Sequence, residues 1–130
     1  MRYLIVDDSA TVRRTTASLL KAARPGKLDL VEAESSKQAI AAVTGAPFDC
    51  IFLDMVLGDD KANGGAAILE RILVYDPKAR IVLVTGLPRT DPQVQRAIRS
   101  GAFAYLQKPL NLANLRQTLD LLDRTKGRRR

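Results

Sequence analysis

No histidine and no tryptophan occur among the 130 residues, and cysteine occurs once, at Cys50. Without imidazole, histidine-based catalytic triads are excluded, and so are most zinc sites, which draw on histidine or on several thiolates. A lone cysteine closes no internal disulfide, and its place in the apolar run Cys50-Ile51-Phe52-Leu53 marks it as strand packing. Any metal must therefore be a hard cation held by oxygen. Mg2+ suits best, because it accepts one or two carboxylates, keeps several waters and binds beside phosphate oxygens. Long apolar runs are missing as well. The longest, residues 39–43 and 102–106, are five residues each, far below the roughly 20 needed to cross a bilayer. At the amino end, only Leu4-Ile5-Val6 separates Met1-Arg2-Tyr3 from two aspartates. No secretory leader fits there, and a cytoplasmic location is expected.

Acidic charge is also in short supply, with 14 Asp and Glu against 21 Lys and Arg for a net charge of +7. Five of the positive charges, Arg124, Lys126, Arg128, Arg129 and Arg130, fall in the last seven residues with no acid among them. The body of the chain is thus nearly neutral. That tail has three readings: a solvated end, an electrostatic contact with an acidic partner, or a site for nucleic acid or a nucleotide. No aromatic residue interleaves with its arginines, which argues against base stacking.

What is present is one domain's worth of chain, 46% apolar, in which short apolar runs alternate with segments of helical period. Five such βα units can be counted. Strands are predicted at residues 3–6, 28–33, 49–53, 81–84 and 103–106. The third and fourth read as continuous apolar stretches of the kind buried on both faces. Ser9 suits a helix N-cap, Ser35 or Ser36 another, and Asp91-Pro92 gives a cap followed by proline at the first helical position. A domain over residues 1–123 followed by a basic tail at 124–130 is the expected division.

In open parallel sheets, ligands bind beyond the carboxyl ends of the strands. The residues there are Asp7 and Asp8 after the first strand, Asp54 after the third, Thr85-Gly86 after the fourth and Lys108-Pro109 after the fifth. Clustered carboxylates repel one another, and a divalent cation relieves that repulsion. A carboxylate can also act as a nucleophile toward phosphorus if nearby cations neutralise the transferring group. Each residue has a plainer role available: Asp7 and Asp8 as a capping turn, Thr85-Gly86 as a strand-end turn, Tyr105 as core.

The combination Asp7-Asp8, Asp54, Thr85-Gly86 and Tyr105-Leu106-Gln107-Lys108-Pro109 resembles the receiver domain of two-component response regulators, over residues 3 to about 122. The resemblance implies a flavodoxin-like, doubly wound α/β fold with a five-stranded parallel sheet in the order 2-1-3-4-5 and five helices. It implies Asp54 as phosphoacceptor. It also implies Mg2+ held by Asp8, Asp54 and the backbone carbonyl of Val56, with Asp7 acting through water. Thr85 and Lys108 would bind phosphoryl oxygens, Tyr105 would be the switch aromatic, and Pro109 would follow a cis peptide. A histidine kinase or phosphotransfer protein would be the donor, and a downstream protein the target.

One departure from the family pattern is the stretch from Leu57 to Gly65, a longer loop without proline that holds Asp59 and Asp60. Two other readings stand beside this one. The first is a receiver-like scaffold that works without phosphorylation. The second is an aspartate-nucleophile phosphohydrolase of the haloacid dehalogenase type, which expects a second Asp two positions after the nucleophile; Val56 and Ala10 stand there instead.

Overall fold

Strands and helices alternate strictly through the computed structural model, which describes residues 1–57 and 64–125. The elements are β1 (Arg2–Val6), α1 (Ala10–Ala23), β2 (Asp29–Ala33), α2 (Ser36–Gly45), β3 (Cys50–Asp54), α3 (Gly64–Tyr75), β4 (Ile81–Thr85), α4 (Pro92–Ser100), β5 (Ala104–Gln107) and α5 (Leu112–Thr125). All five strands are parallel and lie in the order β2-β1-β3-β4-β5. The strand bounds differ from the sequence reading by a residue or so, because pairing partners rather than hydropathy decide where a ladder ends. The expected loop at residues 58–63, with Asp59 and Asp60, lies outside the described residues, as do residues 126–130 of the tail. Helix α5 itself runs through Arg124 to Thr125.

Side chains on successive strand residues point to opposite faces of the sheet, and each face is covered by its own helices. Leu4, Val6, Ile51, Leu53, Ile81 and Leu83 pack with α2, α3 and α4. Tyr3, Ile5, Cys50, Phe52, Val82 and Val84 pack with α1 and α5. Every residue of β3 and β4 is buried, as their unbroken apolar runs require of central strands. Tyr3 and Phe52 meet edge to face with ring centroids 5.8 Å apart. The Cys50 thiol lies in this layer, and burial pushes its pKa upward, so it behaves as an inert packing group.

Local signals set the helix starts. Ser9 Oγ accepts from Val12 N, Ser35 Oγ from Gln38 N, Asp91 Oδ1 from Gln93 N and Asn111 Oδ1 from Asn114 N. Each bond satisfies a backbone donor that a helix leaves unpaired. Pro92 occupies the first position of α4, and Gly101, at φ 120°, closes it.

The start of α3 is set differently, by close approach. A Cβ placed on Gly65 would lie 2.6 Å from both the Cα and the carbonyl oxygen of Met55, the residue after Asp54. Neither atom can yield without moving the end of β3. Gly65→Ala is therefore expected to destabilise the protein by about 2–3 kcal/mol, the order of a forced backbone shift in a packed interior. Gly45→Ala, with no atom within 4 Å of the new methyl, is expected to be neutral or stabilising by up to about 1 kcal/mol. Urea denaturation midpoints of the two variants, measured side by side, check both.

Candidate functional site

Parallel register brings the predicted site residues to one edge of the sheet. In the ladders Val6 is opposite Leu53 and Asp54 is opposite Val84. The residues next along the chain, Asp7 after Val6 and Thr85 after Val84, therefore flank Asp54 from either side. Thr85 is in turn opposite Gln107, and the amide of Lys108 donates to the Thr85 carbonyl at 2.8 Å. Four chain segments that are distant in sequence thus end together.

One carboxylate oxygen from each of Asp7, Asp8 and Asp54 lies within 4.8 Å of the others. Asp7 and Asp54 are buried, whereas Asp8 is exposed at the mouth of the cluster. Lys108 answers part of this negative charge: its Nζ donates to Asp7 Oδ2 at 2.9 Å and stands 3.6 Å from Asp54 Oδ1. Asp7 Oδ1 accepts from the Ser9 amide at 2.9 Å, which ties the carboxylate to the turn that caps α1. Asp54 Oδ1 accepts from the Val56 amide at 3.3 Å. An all-oxygen donor set with an exposed member fits a hard divalent cation that retains water, such as Mg2+.

Burial dominates the protonation of Asp54. It raises the carboxyl, Lys108 pulls it down, Asp7 and Asp8 push it up and the Val56 amide pulls it down, and the balance takes it from 3.8 to about 6. The lone ammonium, bonded first to Asp7, does not outweigh the loss of water around Asp54. A cation at the cluster would reverse that balance.

The remaining predicted residues form a chain of contacts leading away from the cluster. Thr85, 1% exposed, accepts the Leu87 amide on its Oγ1 at 3.1 Å. Leu87 then offers its carbonyl to the Tyr105 hydroxyl. Leu87 thus holds Thr85 through its amide and Tyr105 through its carbonyl. The Arg89 guanidinium lies 4.7 Å above the Tyr105 ring, a cation–π contact. The Lys108-Pro109 peptide is cis. Val56 is 46% exposed beside the acidic cluster. An apolar groove of about 380 Å³ opens next to Lys108, between Thr11, Val12 and Thr15 of α1 and Pro109 and Leu110.

Two participants escaped the sequence reading. Arg13 donates from Nη1 to the Asp7 backbone carbonyl at 2.7 Å and from Nε to Glu32 at 2.9 Å. Arg89 is the other. Each acts on a partner 6 to 19 positions away through contacts that no periodicity encodes.

Comparison with known proteins places this site in a family context. A family model described as the response regulator receiver domain matches residues 3–120. Among curated proteins, the alginate biosynthesis transcriptional regulatory protein AlgB of Pseudomonas aeruginosa is 35% identical over 115 residues. The response regulator protein PilR of the same organism is 32% identical over 116 residues. These alignments cover 88% and 89% of this chain but 24% of each relative, so the chain spans about a quarter of their length. Among solved structures, a two-component response regulator from Clostridium difficile superimposes with a TM-score of 0.83 at 25% identity, covering 95% of this chain and 96% of that one. NtrX from Brucella abortus gives 0.84 at 26% identity over 98% of this chain and 28% of its own.

The raised pKa of Asp54 has a consequence for stability in the metal-free protein. Between pH 4 and 6 the folded state binds a proton that the unfolded state has released, so stability falls as pH rises through about 6 and the loss is absent below about 4. Asp54→Asn keeps an acceptor for the Val56 amide and removes the titration. With a chelator present, the variant is expected to exceed wild type by about 2 kcal/mol at pH 7.5 and to match it near pH 4. Urea unfolding across that range reads the difference directly; a gap that does not change with pH would assign the titration elsewhere.

Proposed function

The chain belongs to the response regulator receiver domain family, and from that membership we propose that it is a two-component signalling switch that accepts a phosphoryl group on Asp54. The observation that supports this reading best is the convergence of Asp7, Asp8 and Asp54 within 4.8 Å, bridged by Lys108. A catalytic carboxylate, a metal-holding pair and a cation for the transferring group are the components that phosphoryl transfer to an aspartate needs.

In this reading Asp8, Asp54 and the Val56 carbonyl would hold Mg2+, and Asp7 would act on it through water. When bound, the ion supplies positive charge that offsets the phosphoryl oxygens and keeps Asp54 ionised. An Asp54 carboxylate oxygen attacks phosphorus. The O–P bond forms as the donor's N–P bond breaks, and the imidazole of a histidine kinase or phosphotransfer protein leaves with the electron pair and takes up a proton. Lys108 then exchanges part of its bond to Asp7 for a phosphoryl oxygen. Thr85 rotates to donate its hydroxyl to another, and that rotation takes its oxygen away from the Leu87 amide, which loses its acceptor. Because Leu87 also holds Tyr105, the loss reaches the surface of α4, β5 and α5, where a protein target would read it. Pro109 belongs to the same switch segment, next to Lys108.

The decisive measurement is intact mass after incubation with Mg2+ and a small phosphodonor. Wild type is expected to gain one phosphoryl mass and Asp54→Asn none. An unmodified wild type would leave the fold as a protein-binding scaffold.

Exposed, apolar Val56 governs the lifetime of the product in this picture. Its side chain offers no hydrogen bond to an incoming water. Val56→Asn, which supplies one, is expected to speed acyl-phosphate decay by several-fold at constant pH; an unchanged decay rate would remove Val56 from the account.

A further inference from the structure

Arg13 is the one cation on α1 whose side chain turns toward the acidic edge and binds there. The guanidinium, 13% exposed, spans three elements. It projects from α1, its Nη1 donates at 2.7 Å to the backbone carbonyl of Asp7 just beyond β1, and its Nε donates at 2.9 Å to Glu32 on β2. The peptide unit whose oxygen it holds is the one that joins Asp7 to Asp8. Fixing that plane fixes the backbone torsions through which the exposed Asp8 carboxylate is aimed. The other contacts of the turn leave this peptide oxygen to Arg13: Ser9 N binds the Asp7 side chain, Ala33 O accepts the Asp7 amide, and Lys108 binds Asp7 Oδ2.

We propose that Arg13 is a positioning residue for the divalent cation, acting through the Asp7–Asp8 peptide and anchored by Glu32. Its charge works in the opposite direction. A guanidinium near the cluster repels an incoming cation, and Glu32 offsets part of that repulsion by pairing with it. The two effects predict opposite signs, and this makes the role testable. If charge alone mattered, removing Arg13 would tighten cation binding. If the hydrogen bond to the peptide matters, removing it weakens binding, because groups that orient ligands typically affect metal affinity by roughly 10-fold or more. A fork is also required: a lysine ammonium is a compact charge and does not reproduce the planar two-nitrogen span from Asp7 to Glu32.

This inference rests on the reading of Asp8 and Asp54 as Mg2+ ligands, and the test separates the two. Mg2+ is titrated calorimetrically into wild type, Arg13→Ala, Arg13→Lys and Arg14→Ala, with urea midpoints of the metal-free proteins measured in parallel. Arg14 is exposed one position further along α1 and serves as a charge control. Arg13→Ala is expected to raise the Mg2+ dissociation constant about 10-fold and Arg13→Lys at least 3-fold, while Arg14→Ala stays within 2-fold of wild type. Tighter or unchanged binding in Arg13→Ala, full rescue by lysine, or an equal loss in Arg14→Ala would each overturn the proposal. If Arg13→Ala does not fold, the lysine variant alone decides. A wild type that binds no Mg2+ would overturn the metal reading itself and this one with it, whereas wild-type binding with indifferent variants would overturn this one alone.

Discussion

The structure turns on the crowding of negative charge at the carboxyl edge of the sheet. Asp7 and Asp54 are buried beside each other, and the same burial that shapes the site raises the cost of ionising Asp54. Lys108 relieves this only in part, since its short contact is to Asp7 and its distance to Asp54 is 3.6 Å. Asp54 is consequently raised to the point where it gains or loses a proton near pH 6. An arrangement left short of positive charge is one that a cation, and then a phosphoryl group bound beside that cation, can complete. The remaining features of the edge, from the Ser9 cap to the Arg13 fork, keep these groups from moving apart to escape one another.

Holding repelling groups together requires a rigid frame, and the two-layer core supplies it. The central strands β3 and β4 are buried along their whole length, so their carboxyl ends have little freedom to shift. Gly65 lets α3 start directly against Met55, which fixes the peptide that follows Asp54. On the far side of the edge the restraint is of another kind. Thr85, Leu87 and Tyr105 are joined by single hydrogen bonds rather than by packing alone, and Tyr105 is half-buried under Arg89. The cluster of acids is therefore held by a packed frame, whereas the contacts from Thr85 to Tyr105 run through individual hydrogen bonds.

Much of this was legible beforehand. Unbroken apolar runs identified β3 and β4 as buried strands, and Ser9, Ser35 or Ser36, and Asp91-Pro92 marked helix starts, which the hydrogen bonds place at Ser9, Ser35 and Asp91. The acids and Lys108 were legible because strand ends of a parallel sheet are predictable ligand-binding positions. Asp54's elevated pKa was not, since it depends first on how deeply the carboxyl is buried and then on how far Lys108 stands from it. Nor was the role of Leu87, which acts through its backbone amide and carbonyl and leaves no trace in residue type. Nor was Arg13, whose guanidinium lies between the Asp7 carbonyl and Glu32.

The sequence by itself determined the alternation of strands and helices, the identity of the residues at the strand ends and the kind of metal they could hold, because hydropathy period and residue chemistry are local properties. Only the tertiary structure decided how charge is shared among Asp7, Asp54 and Lys108, which peptide groups are pinned, and which of the many arginines matter to the site. Those outcomes depend on distances of a few ångströms between segments as far as 101 residues apart, set by the register of the sheet and the packing of two cores rather than by any neighbourhood along the chain.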